Sequence, residues 1–236
     1  MTPERHQKLK AALLQRQPDL TLIADKVHKP RNLAALIRNA DAVGMHQIHC
    51  VDPRDGYHHY RGTTLGSDRW VRKINHLSFA EAAAAVRDEG MKIYAAHFSD
   101  RAIDYRQVDY TCPCAILLGA EKEGVSDEAG ALADEHIVIP MMGMVSSLNV
   151  STAAGIILME ARNQRQAAGM YDQPRLSGEQ IALSLFEWGN SQVAEFCRKR
   201  GLAYPPYDAE GEIIDPQGWN QAVKNGTAPT AERALS

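Results

Sequence analysis

His136-Ile137-Val138-Ile139-Pro140-Met141-Met142-Gly143-Met144-Val145-Ser146-Ser147-Leu148-Asn149-Val150-Ser151 is the stretch on which the architecture turns. His136–Ile139 reads as a strand that Pro140 ends, since proline cannot continue a ladder. Met141–Ser147 is then a loop. Asn149–Arg165 follows as a long helix, with Val150, Ala153, Ala154, Ile157, Leu158 and Ala161 at helical spacing. A strand that feeds a helix needs a crossover, and a chain of such units builds a parallel sheet covered on both faces. The loop itself is apolar and rich in Met. Either it packs beneath another segment, or it lines a pocket for a ligand with a flat apolar edge, against which Met sulfur adapts.

The same alternation runs upstream. Leu20–Val27, Gln47–Val51, Trp70–Ile74, Lys92–Phe98 and Ala115–Leu118 read as strands. Leu33–Val43, Phe79–Asp88 and Ser126–Ala133 read as helices, with Asn32 placed as the N-cap of the first. Residues 3–16 form a leading helix with Leu9, Leu13 and Leu14 on its apolar stripe. The expected class is α/β, a parallel sheet flanked by helices with short helical extensions at both ends. After Gly169 the alternation stops, and Ile181–Glu187 and Gln192–Lys199 read as two short helices. The expected divisions are 1–19, 20–168, 169–225 and a poorly ordered tail over 226–236.

Composition excludes several classes. The 236 residues are 44% hydrophobic and 23% charged, ordinary values for a globular chain. No run of about 18 apolar residues exists, so no membrane helix is expected. The leading residues lack an apolar signal region, which points to the cytoplasm. Cys50, Cys112, Cys114 and Cys197 have no zinc spacing and read as reduced thiols, and no metal site is expected. The net charge of −3 hides an asymmetry: residues 1–40 hold eight Lys/Arg against three acids, and the remainder is acidic. A basic leading segment on an acidic body suggests a polyanion-binding face.

Three stretches carry chemistry. Gly119-Ala120-Glu121-Lys122-Glu123-Gly124-Val125-Ser126 follows a strand and precedes a helix, but Val125 stands where a P-loop needs Lys. Two acids would also repel a triphosphate. Its glycines mark a tight turn or a close approach. Asn32 and Arg38 open a helix directly after the first strand. Arg38 lies among Leu36, Ile37 and Ala40, near the apolar side, where a partly buried guanidinium needs an anion such as phosphate or Glu121. Ser147 and Asn149 supply polar groups at the mouth of the helix after the Met-rich loop.

Taken in order, Asn32-x5-Arg38, Leu117–Ser126 and Ile139–Ser151 resemble the three motifs of the SpoU branch of the SPOUT RNA methyltransferases, over roughly residues 20–165. The basic first helix, Gly169-Met170-Tyr171 and the C-terminal extension are similar to its tRNA guanosine-18 members. The resemblance implies a C-terminal trefoil knot that holds S-adenosylmethionine and a homodimer formed through the knot region. It implies 2′-O-methylation of the D-loop guanosine of tRNA, with ribosomal RNA as the alternative acceptor and a non-catalytic RNA-binding protein as the second alternative. Carried over position by position, the catalytic set is Arg38, Asn32, Glu121 and Asn149. The cofactor set is Ala96, Gly119, Ile139, Met144, Ser147 and Leu148. The RNA-binding set is Arg5, Lys8, Arg16, Lys29, Arg31, Arg162 and Arg165. A guanidinium is a poor base, so Arg38 is expected to bind the neighbouring phosphate and steady developing alkoxide charge. Similar proteins read Glu-Ala-Gln-Arg-Gln-Arg where this chain has Glu160-Ala161-Arg162-Asn163-Gln164-Arg165, which moves one cation about 100° around the helix.

Overall fold

A computed structural model of the chain describes residues 2–52, 69–120 and 123–231. The described residues divide into two compact units, those within 16–173 and those within 2–15 and 174–231.

The larger unit is built on seven described strands, β1 (Leu20–Asp25), β2 (Gln47–Val51), β3 (Arg72–His76), β4 (Lys92–Ala96), β5 (Ile103–Asp104), β6 (Cys114–Leu118) and β7 (Glu135–Val138). They lie in the order β3-β2-β1-β6-β4-β7-β5, and every pairing is parallel. The parallel α/β sheet expected from the alternation is therefore present. β1 and β6 are buried along their whole length. That is why they read as continuous apolar runs rather than as alternating patterns.

Residue parity divides the core. Leu20, Leu22 and Ala24 of β1 face α2 (Pro30–Ala42) and α5 (Val150–Ala167), with Leu33, Leu36, Ile37, Ala154, Ile157 and Leu158. Ile23 faces the other way, toward α3 (Phe79–Asp88) and α4 (Asp127–Leu132), with Phe79, Val86, Leu117 and Ala129. Ser78 and Ser126 cap α3 and α4 by accepting backbone N–H bonds, each at 3.3 Å. β3 sits two residues later than the sequence suggests. β5 is only two residues long, below what periodicity can register.

The smaller unit carries α1 (Pro3–Leu14), α6 (Gly178–Gly189), α7 (Ser191–Arg200) and α8 (Pro216–Lys224). Thr2 caps α1, and a reciprocal Ser177–Gln180 capping box starts α6. Phe186 is buried, stacked on Tyr207 and tilted against Tyr204, each ring 4.8 Å away. A Cβ on Gly211 would stand 2.5 Å from the Phe186 nitrogen, so that crossing requires glycine. α8 was not expected; Asp215 caps it by accepting from Gly218 N at 2.9 Å. The tail is pinned through Ala231 by Ala203 N to Pro229 O and Ala231 N to Gly201 O, both 2.9 Å, where disorder from 226 was expected. Residues 232–236 lie outside the described chain.

Candidate active site

Parallel strands bring their C-terminal ends to one edge, where open α/β sheets bind ligands. Ala96 ends β4, and Gly119 and Ile139 directly follow the neighbouring strands β6 and β7, at that edge. Three residues of the expected cofactor set, far apart in sequence, thus share one rim. Gly119 has a structural reason as well. The chain after it folds back through an Ala120–Gly124 bridge, with Gly124 N donating to Ala120 O at 2.9 Å and Gly124 at φ +71°. A Cβ on Gly119 would lie 2.0 Å from Gly124 O. The P-loop-like spacing is a self-closing turn. Glu121, expected in the catalytic set, lies outside the described residues.

The Met-rich loop does not pack beneath another segment. Met142 and Met144 are fully exposed, and Val145 is 60% exposed. Ser147 is exposed and Leu148 half-buried. The first of the two readings of this loop does not hold in the single chain.

Asn149 and Asn32 meet. Asn149 caps α5, its Oδ1 accepting from Ser151 N at 2.9 Å and Ser151 Oγ at 2.5 Å. Its Nδ2 donates to Asn32 Oδ1 at 3.2 Å. Asn32 is not a cap, contrary to the sequence reading: α2 starts at Pro30 with Lys29 as N-cap, because proline is pre-set for the first helical turn. Asn32 therefore sits within the first turn, buried, and its side chain turns toward α5. Asn39, seven residues on and so back on the same face, donates from Nδ2 to Ser151 O at 2.8 Å. That second tie was not anticipated, although the seven-residue spacing of two Asn was its signal.

Arg38 is exposed, not partly buried. Six residues place it about 120° around α2 from Asn32. The apolar neighbours in sequence point inward while Arg38 points out, and among the described residues it makes no hydrogen bond or ion pair.

Two cations of the expected RNA-binding set are internal. Arg165 has no exposed surface. Its Nε donates to Tyr110 O at 2.8 Å, Nη1 to Gln17 Oε1 at 3.1 Å and Asp19 Oδ1 at 2.7 Å, and Nη2 to Asp19 O at 3.1 Å and Cys112 O at 3.0 Å. It clamps the entries of β1 and β6 to α5. Arg16 is 2% exposed and donates to Met45 O at 2.5 Å and Asp41 Oδ1 at 2.6 Å. Burial lowers its guanidinium, and Asp41 opposes that shift. Neither can reach a phosphate, because every donor direction points into protein. Arg5, Lys8, Lys29 and Arg31 are exposed and Arg162 is half-buried.

Asp25 ends β1 with its carboxyl turned inward, 2% exposed and with Oδ1 unpartnered. Burial pushes this carboxyl up; Lys26 and His28 oppose the shift and Glu128 adds to it. His49 and His76 stack with centroids 5.1 Å apart and share a 2.9 Å Nδ1–Nε2 contact. The four cysteines are free. Among the described residues no group of three or more metal-ligating side chains gathers, and no helix is long and apolar enough to cross a membrane.

This rim and its two flanking motifs coincide with a known family. Residues 19–159 match the SpoU rRNA methylase family, and residues 163–216 match the C-terminal region of SpoU rRNA methylases. The chain belongs to the SpoU family. It is 44% identical over 221 residues to the tRNA (guanosine(18)-2′-O)-methyltransferase of Escherichia coli K12, covering 93% of this chain and 96% of that one. The solved structure of the Aquifex aeolicus TrmH/SpoU tRNA modifying enzyme superposes with a TM-score of 0.74 at 38% identity, covering 80% and 97% of the two chains. The SpoU methyltransferase AviRb of Streptomyces viridochromogenes, solved in complex with AdoMet, is similar at a TM-score of 0.58 and 27% identity, over 65% and 64%. Within this SpoU chain, then, the Asn32–Asn149 bond joins the first and third motifs.

Proposed function

We propose that this SpoU protein transfers a methyl group from S-adenosylmethionine to the ribose 2′-hydroxyl of guanosine 18 in the tRNA D-loop. The observation that carries the reading is similarity to guanosine-18 methyltransferases over 93% of the chain, together with the match of residues 163–216 to the SpoU C-terminal region. The cofactor fits the rim. Ala96, Gly119 and Ile139 offer backbone groups at adjacent strand ends, and Met144 and Leu148 offer apolar cover for a flat ring. When bound, the cofactor supplies a methyl group already activated on a sulfonium.

The chain's own residues then have three tasks. Arg38, exposed on α2, binds the phosphate beside the reacting ribose and steadies the charge that grows on the 2′-oxygen. The proton leaves to that phosphate or to water. Asn32 and Asn149 fix α2 against the start of α5, which sets where Arg38 stands relative to the loop after β7. Such alignment replaces an entropic cost that free partners would meet. Arg5, Lys8, Lys29, Arg31 and Arg162 contribute phosphate contacts, which position RNA without reading sequence. Glu121 is proposed to orient Arg38.

The protein is further proposed to act in the cytoplasm as a homodimer, with the chain knotted around the cofactor loops. In support, α5 has a shallow groove of about 510 Å³ lined by Tyr105, Thr152, Ile156, Met159 and Asn163. Met159 is 46% exposed there, and a second copy would cover it. The test is methyl transfer from labelled S-adenosylmethionine to unmodified tRNA transcripts, with mapping of the product. Methylation at the ribose of guanosine 18 is expected. Incorporation into ribosomal RNA alone would replace the acceptor, and bound RNA with no incorporation at any cofactor concentration would overturn the enzymatic reading.

A further inference from the structure

Lys26 is unusual in two independent ways. First, it is the only described residue other than glycine with a positive φ, +54°. Seven glycines hold the other such positions. A side chain in this left-handed region meets its own backbone, so glycine or asparagine is the easier occupant. The conformation is imposed by the fold: Lys26 N donates to Val51 O at 3.0 Å, extending the β1–β2 ladder by one rung, and α2 begins four residues later. Second, its side chain is exposed at the C-terminal rim, where Gly119 begins the neighbouring turn.

Lys26 also opens an acid-free segment. No Asp or Glu lies between Asp25 and Asp41, while Lys26, His28, Lys29, Arg31 and Arg38 are all exposed. Asp25, the one acid at the border, turns its carboxyl into the core. The segment therefore shows cations outward and hides its nearest anion.

We infer that Lys26 is an RNA-phosphate contact, held at the rim by its left-handed backbone, and that the RNA face runs from Lys26 through Arg31 to Arg38. The inference rests on the proposed RNA substrate and deepens it. One structural role competes with it: Lys26 could serve as the counter-charge of the buried Asp25 carboxyl. The two make opposite claims about stability. A counter-charge is needed for folding, whereas a phosphate contact in a strained backbone is dispensable to the fold.

The test compares wild type with Lys26→Asn, which suits the backbone and removes the charge, and with Lys26→Arg, which keeps the charge. Binding of unmodified tRNA transcript is measured by fluorescence anisotropy over a salt series, with methyl-transfer KM and kcat and the melting temperature beside it. A phosphate contact contributes about 0.7–0.9 to the log–log salt slope, which is about five- to eightfold in affinity at 0.1 M relative to 1 M salt. Lys26→Asn should weaken tRNA binding and raise KM by about that factor at 0.1 M salt. It should shallow the salt slope by about one contact, leave kcat near wild type and melt at the same or a higher temperature. Lys26→Arg should bind like wild type. Unchanged binding by Lys26→Asn overturns the inference, and so does a lowered melting temperature with an unchanged salt slope. A wild-type protein that binds tRNA without methylating it would sink the substrate reading, while the binding comparison would still decide the role of Lys26.

Discussion

Replacing Arg165 with alanine should unfold more than it unbinds. The side chain has no exposed surface and donates five hydrogen bonds, to the Asp19 carboxylate, to the carbonyls of Asp19, Tyr110 and Cys112, and to Gln17 Oε1. Truncation removes a donor from all five acceptors, of which Asp19 O keeps Cys114 N at 2.9 Å. The Asp19 side chain is 17% exposed and can regain some water; the carbonyls at the strand entries are deeper. Removing one partner of a buried ion pair costs about 3–5 kcal/mol. The carbonyls add to that only where no water follows, so about 4 kcal/mol is a fair centre, a large part of the roughly 5–15 kcal/mol that holds a domain together. For a chain of this size each kcal/mol moves the midpoint by about 2–4 °C, which gives a fall of about 8–16 °C. Thermal unfolding followed by circular dichroism reads it, with Arg162→Ala as the control, expected to stay within about 0.5 kcal/mol. An Arg165→Ala protein that melts like wild type but binds tRNA several-fold more weakly would refute the clamp and return Arg165 to the RNA face.

Arg38→Ala should abolish turnover while cofactor binding and melting temperature stay near wild type, since the side chain is exposed; calorimetric titration with S-adenosylmethionine and a melting scan check both halves. Gly119→Ala forces a Cβ to within 2.0 Å of Gly124 O, so the turn must open, and a lowered melting temperature with lost cofactor affinity is expected. Asn149→Asp keeps the cap acceptor for Ser151 but sets an oxygen against Asn32 Oδ1. kcat should fall by more than tenfold with a stability loss near or below about 1 kcal/mol, and a kcat within twofold of wild type would show that the Asn32 bond does no positioning. Burial and the neighbouring His76 hold His49 down to about 4 from its ordinary 6.5. The unfolded chain therefore binds the extra proton first: this contribution is complete above pH 6.5, is lost as pH falls toward 4, and amounts to up to about 3 kcal/mol at 1.36 kcal/mol per unit. Melting between pH 7 and 4 should be less steep in His49→Gln than in wild type.

The parts of the fold that could be read were those whose patterns are set by burial on a regular element. β1, β6 and α5 are buried along a strand or a stripe, and their apolar runs say so. β5 has two residues and α8 buries none of its own, so neither leaves a period to detect. The site was legible where a residue type has one use, as in the glycines that mark the tight turn at Gly119; Asn has several, and the cap read at Asn32 belongs instead to Asn149, which the sequence reading placed inside its helix. The site was also misread where a charge has two uses. Arg16 and Arg165 look like solvated helix cations in sequence; the β1 and β6 entries, brought together by strand order, make Arg165 internal, and the end of α2 with the entry of β2 encloses Arg16. Arg38 failed in the opposite direction, because apolar sequence neighbours on a helix point elsewhere.

The strand order has a consequence for how the protein is made. β4 pairs only with β6 and β7, and β1 gains its second neighbour only from β6. On a ribosome, β1 through β4 emerge before the strand that must sit at the middle of the sheet has been synthesised. Until Cys114–Leu118 has left the exit tunnel, the nascent chain carries one flank of β1 bare and β4 with no partner at all, edges that invite pairing with other chains. A fragment that stops short of β6 should accordingly need a chaperone, and a pause in translation before residue 114 should be more damaging than one placed once β7 has left the tunnel.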